Sequence, residues 1–266
     1  MLQRFHTSGE TTMTDHVIIT DEDNTRIITM RRPDKKNALT QSMYTSMADA
    51  LKSAQSDPDI RSIVISGGSG VFTAGNDLED FAKANTSNSD DARPMAATQF
   101  LKALAYNEKP LIGAVDGIAV GVGTTMLFHC DYVLASTTAT FSTPFIHLGL
   151  VPEAASSLLA PRVMGHQRAF SMLVMGRTVT ADEAREAGFV NTVVAPGHTE
   201  VEARKIAREI GSLPKDAVAL TRKLLKPARE DVLRRMDEES HHFGERLKSD
   251  EARNAFAAFF SRKKKA

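Results

Sequence analysis

Two textures divide the chain. Up to about position 152, short β-branched or apolar runs alternate with apolar stripes at helical spacing, and beyond it helical stripes dominate. Positions 17–20 and 25–30 are β-branched runs separated by D-E-D-N, which predicts a hairpin. A loop over 33–39 leads to Thr40, which caps a predicted helix reaching about position 56, with Met43, Met47, Leu51 and Ala54 on one face. Runs at 60–66, 111–115 and 131–135 predict buried strands, with helices ending near 106 and spanning about 122–129 between them. Strand and helix in alternation predict an α/β core with parallel pairing. The Ser/Asn/Asp-rich segment 85–93 predicts a mobile surface loop.

After Pro152, helices are predicted over about 155–164, 167–175 and 181–187, followed by three long amphipathic stretches from 199 onward. Thr180-Ala-Asp-Glu183 is a capping box, and Gly188 stops that helix. The chain therefore divides into a disordered extension (1–15), an α/β core (16–195) and a helical region (196–266). The last carries Val218, Leu220, Leu224, Leu225, Phe256, Phe259 and Phe260, too much apolar surface to stay exposed. It is expected to pack on the core or on a neighbouring subunit.

Composition narrows the class. A chain of 266 residues fits one large domain, or one domain with a helical appendage, and 42% hydrophobic residues argue against disorder. Thirty-three basic residues balance 33 acidic ones, so no global field recruits nucleic acid or a membrane surface. The lone Cys130 excludes an intrachain disulfide and suits a reducing compartment. The first 15 residues lack the apolar core of a secretory signal and the basic character of a mitochondrial presequence, so a cytoplasmic location is expected.

Two small-residue turns carry the candidate chemistry. F-T-A-G-N-D at 72–77 and G-I-A-V-G-V-G-T-T at 117–125 each follow an apolar run. Such turns let backbone N–H groups approach a ligand closely, and two of them can hold one oxygen that becomes negative during reaction. A helix opening at Val122 leaves its first N–H groups without helical partners. A dinucleotide site is rejected, because Met126 stands where a third small residue is needed. Gly67-Gly68-Ser69-Gly70 lacks the Lys-Ser/Thr of a phosphate loop. The eight His residues show no ligand spacing, so no metal is expected. No G-x-S-x-G is present, and Cys130 has no adjacent cation to make it a nucleophile. Asp77 and Asp131 stand at strand or turn ends, where capping is the simpler role. Glu153, after Pro152 and among small and apolar residues, is placed to lose hydration and act as a base, or else only to complement a helix dipole.

Taken together, R-P-D-K-K-N-A-L at 32–39, F-T-A-G-N-D-L-E-D-F at 72–81, K-P-L-I-G-A-V-D-G-I-A-V-G-V-G at 109–123, C-D-Y-V-L-A at 130–135 and F-S-T-P-F-I-H-L-G-L-V-P-E at 141–153 resemble the crotonase (enoyl-CoA hydratase/isomerase) superfamily. The resemblance runs from about 17 to 264. It implies an α/β spiral of ββα turns with a C-terminal helical trimerisation region, assembled as a homotrimer or dimer of trimers. It also implies an acyl-CoA thioester substrate with no separate cofactor, coenzyme A being part of the substrate. Ala74 and Val122 match the oxyanion-hole N–H donors, and Ala74, Gly75, Asn76, Asp77, Leu78, Gly121 and Val122 match the substrate-binding turns.

Hydratases of the family carry two Glu at the positions held here by Thr125 and Phe145. Glu153 instead matches the catalytic Glu of the peroxisomal-type Δ3-Δ2-enoyl-CoA isomerases. The resemblance thus implies an isomerase acting in fatty-acid β-oxidation with Glu153 as the single base. A hydratase, a ring-processing acyl-CoA isomerase and a catalytically weak acyl-CoA-binding protein are the alternatives.

Overall fold

The computed structural model of the protein describes residues 11–14, 16–80 and 95–263. The segment 85–93 expected as a mobile loop lies outside them, as do the first ten residues. Eleven strands are described: β1 (Thr11–Thr14), β2 (Val17–Glu22), β3 (Thr25–Met30), β4 (Ser62–Ser66), β5 (Val71–Thr73), β6 (Leu111–Val115), β7 (Ile118–Val120), β8 (Tyr132–Ser136), β9 (Thr140–Ser142), β10 (Val179–Thr180) and β11 (Thr192–Val194). They form a seven-stranded sheet in the order β1-β2-β3-β4-β6-β8-β11 and a four-stranded sheet in the order β10-β9-β7-β5. Successive pairs β4/β5, β6/β7 and β8/β9 give one strand to each sheet, which is the expected spiral of ββα turns. β4 and β6 are buried along their whole lengths, as parallel strands covered on both faces must be.

Helices cover the sheets. α1 (Gln41–Ser56) starts where Thr40 Oγ1 accepts the Met43 N–H at 3.3 Å, and it buries the predicted face of Met43, Met47, Leu51 and Ala54. It packs on α2 (Met95–Tyr106). α3 (Val122–Thr125) continues as a 3-10 turn over Met126–His129, so the single helix expected at 122–129 tightens halfway. Next come α4 (Ser156–Met164), α5 (His166–Leu173) and α6 (Ala181–Glu186), the last with both bonds of the Thr180–Glu183 capping box formed.

The helical region comprises α7 (Thr199–Ser212), α8 (Lys215–Leu225), α9 (Arg229–Leu247) and α10 (Asp250–Lys263). α7 lies on the large sheet, with Ala203 and Ala207 packed among Ile27, Val64, Ile112 and Leu134. α9 packs through Val232, Met236 and Phe243. α8 buries no residue, and its Leu220, Leu224 and Leu225 are exposed. No helix among the described residues is long and apolar enough to cross a membrane.

One boundary differs from expectation. Residues 11–14, assigned to a disordered extension, form β1, paired antiparallel from Thr11↔Thr20 to Thr14↔Val17. The edge of β2 offers unpaired backbone groups, and β-branched Thr residues suit the pleated strand that satisfies them.

Candidate active site

The two small-residue turns leave the same end of a strand pair. β5 and β7 pair in parallel, with Thr73 opposite Ala119, so 74–76 and 121–122 emerge side by side. Gly75 shows how closely: a Cβ there would lie 2.7 Å from the Val120 carbonyl oxygen. Gly121 has φ 58 and ψ −120, a conformation open to glycine, and its N–H is held by the Ser142 carbonyl at 2.8 Å.

The backbone donors of the first turn are not equivalent. The Ala74 N–H is taken by the Lys36 carbonyl at 2.9 Å and the Gly75 N–H by Thr73 Oγ1 at 3.0 Å. Ala74 as an oxyanion donor is therefore corrected: its amide already closes the loop from 33–39 onto the turn. Among the described residues, neither the Asn76 N–H nor the Val122 N–H has an acceptor. The turns were legible in the sequence. Which amide of the first turn stays open depends on the Lys36 and Thr73 partners, which no motif displays.

The side chains of this turn are anchored. Asn76 Oδ1 accepts the O–H of buried Tyr44. Arg32 Nη1 lies 2.7 Å from Asp77 Oδ2, and the Glu79 and Asp80 N–H groups donate to Asp77 Oδ1. Burial alone would raise the Asp77 pKa, but the Arg32 hydrogen bond and the two amides outweigh it and hold the carboxyl below its ordinary range. Asp77 thus caps and fastens the turn, and half-buried Leu78 opens the helical turn it caps.

Glu153 is 5% exposed. The two residues after it, Ala154 and Ala155, both have left-handed backbones (φ 62 and 54). Each such alanine costs roughly 1–2 kcal/mol against ordinary backbone. The turn is fixed at every step. The Glu153 carbonyl accepts from Ser156 N–H at 3.0 Å and Ser156 Oγ at 2.6 Å, and the Ala154 carbonyl accepts from His129 Nε2 at 2.8 Å. Because His129 ends the helical run that begins at Val122, this bond ties the Glu153 turn to the second small-residue turn. Burial pushes the His129 pKa down to about 4, so the ring is neutral and donates from Nε2. Glu239 of α9 accepts the N–H groups of Ala155 and Ser157.

The remaining candidates behave as bystanders. Thr125 is wholly buried and its N–H joins the Gly121 carbonyl at 3.0 Å. Phe145 sits in an apolar cluster with Leu150, Phe243 and Ala252, and its ring lies beside Gly121. Asp131 accepts the Leu111 N–H and pairs with Arg222 and Lys226, a structural role. Burial pushes the Cys130 thiol up to about 12, which leaves it unreactive. Among the described residues, the group with metal-ligand spacing is His241, His242 and Glu245, exposed on α9. Sequence reasoning missed Glu239, which in a helix rich in charge looks like any solvent-facing acid.

The model of the enoyl-CoA hydratase/isomerase family matches residues 20–266. Enoyl-CoA delta isomerase 2 of Rattus norvegicus is 35% identical over 252 residues, 94% of this chain but 64% of that protein, so the chain spans under two thirds of it. Enoyl-CoA delta isomerase 3, peroxisomal, of Mus musculus is 32% identical over 94% of this chain and 80% of its own length. Among solved structures, an enoyl-CoA hydratase/isomerase from Pseudoalteromonas atlantica superposes with a TM-score of 0.86 at 38% identity, covering 93% of this chain and 98% of that one.

Proposed function

The chain belongs to the enoyl-CoA hydratase/isomerase family, and from that premise we propose that it moves the double bond of a 3-enoyl-CoA thioester to the 2-position. Glu153 takes a proton from the α-carbon, and the electron pair of that C–H bond spreads over a dienolate. The negative charge on the thioester oxygen is met by the N–H groups of Asn76 and Val122. Glu153 then returns the proton to the γ-carbon, so the double bond shifts and nothing is consumed. Such a reaction serves the β-oxidation of unsaturated fatty acyl chains.

The observation that carries this reading is the placement of one acid. Glu153 lies buried on a turn tied through His129 to the helix that starts at Val122. The positions where hydratases keep their acids hold Thr125 and Phe145, and Phe145 is packed in an apolar cluster. Adding water needs groups that both position and deprotonate it, whereas shuttling one proton needs a single base. The exposed leucines of α8 support assembly as a homotrimer or dimer of trimers, in which another copy covers them.

The test is a spectrophotometric comparison of a 3-enoyl-CoA and a 2-enoyl-CoA of matched chain length. Isomerisation of the first is expected to outrun hydration of the second. The reverse order would overturn the proposal.

A further inference from the structure

The Glu153 turn is held in place by groups that take no part in moving a proton. Two consecutive alanines in the left-handed region persist only when their surroundings over-determine them. Ala155 is the N-cap of α4 and has no side chain with which to cap it. The capping comes instead from Glu239, 84 residues further along the chain, whose Oε2 accepts the Ala155 N–H at 2.7 Å. Its Oε1 accepts the Ser157 N–H at 2.9 Å. One carboxylate thus grips two peptide planes of the turn, while neutral His129 holds the Ala154 carbonyl from the core side.

We propose that Glu239 is a positioning residue that aims Glu153. A Ser or Asp at the N-cap could accept the Ser157 N–H but not its own, and it would move with the turn and fix nothing. Glu239 is 5% exposed on a helix anchored by Val232, Met236 and Phe243, so its carboxylate is a fixed point. Losing it frees Ala154 and Ala155 to leave the left-handed conformation, and that rotation swings the Cα–Cβ bond of Glu153 with it. The direction of the base is therefore set by the C-terminal helical region and not by the spiral core alone.

This inference rests on the reading of Glu153 as the base, so both residues are varied together. Glu239→Gln keeps the size of the side chain but leaves one acceptor oxygen for two N–H groups, and Glu239→Ala leaves none. With a 3-enoyl-CoA substrate, kcat is expected to fall about tenfold in the first and about a hundredfold in the second, the scale of a catalytic group displaced by about 1 Å. KM is expected to hold. In a Glu153→Gln background, adding Glu239→Gln is expected to leave the residual rate unchanged, because the group it aims is already gone.

Wild-type kcat in a folded Glu239→Gln overturns the proposal while leaving the base in place. A further fall of the same size in the Glu153→Gln background also overturns it, since Glu239 would then act on the fold at large. Normal turnover in Glu153→Gln alone removes the base reading and this proposal with it. If Glu239→Ala does not fold, Glu239→Gln decides the matter.

Discussion

The amide of Ala74 is 2.9 Å from the carbonyl oxygen of Lys36, which closes the loop over 33–39 against the first small-residue turn. That bond commits one donor to structure, whereas the Asn76 and Val122 amides have no acceptor among the described residues and are the donors our proposal gives to the thioester oxygen. Both belong to turns that follow paired strands, so their spacing is set by the β5–β7 ladder and not by flexible side chains. Donors fixed in this way need no reorganisation when charge develops.

Val122→Pro tests the donor directly. Proline suits the first position of a helix, where the N–H has no helical partner, so the change removes the donor while exchanging one buried apolar side chain for a slightly smaller one. Loss of one oxyanion-hole donor typically costs about 10² to 10³ in kcat. A fall of that size with an unchanged circular dichroism spectrum is expected. Wild-type kcat would place the donor elsewhere.

His129 makes stability depend on pH. Burial lowers its pKa from the ordinary 6.5 to about 4, because the core disfavours the charged ring. Above 6.5 the ring is neutral in both folded and unfolded chains, so its contribution to folding does not change with pH. Between 6.5 and about 4 the unfolded chain binds a proton that the folded chain refuses, so this contribution falls as pH falls and levels off below about 4. Urea denaturation of the wild type and His129→Gln across this range measures the term. The slope of stability with pH is expected to be smaller in the variant, and equal slopes would show that His129 is not the group responsible.

Much of the fold was legible because its signals are local. Thr40 and Thr180 cap the helices they precede, and the apolar runs at 62–66 and 111–115 are the buried centre of the large sheet. The small sheet was not, since β5, β7 and β9 span three residues each, too few for a period to show. β1 was hidden for another reason: a polar Thr-rich edge strand reads like a tail until its partner is known. At the site, Glu153 stood out by its apolar setting, whereas Glu239 and the Lys36–Ala74 bond are long-range pairings that leave no trace in spacing.

The most direct test of the central claim is steady-state isomerisation by Glu153→Gln. The amide is nearly isosteric with the carboxylate, so folding and CoA binding are expected to survive, but it cannot accept the α-proton. General base catalysis contributes a factor of about 10² to 10⁴. We predict a fall in kcat of at least about 10²-fold with little change in KM, as befits an interaction made chiefly in the transition state. Near-normal turnover by Glu153→Gln would contradict the account and place the base on another residue.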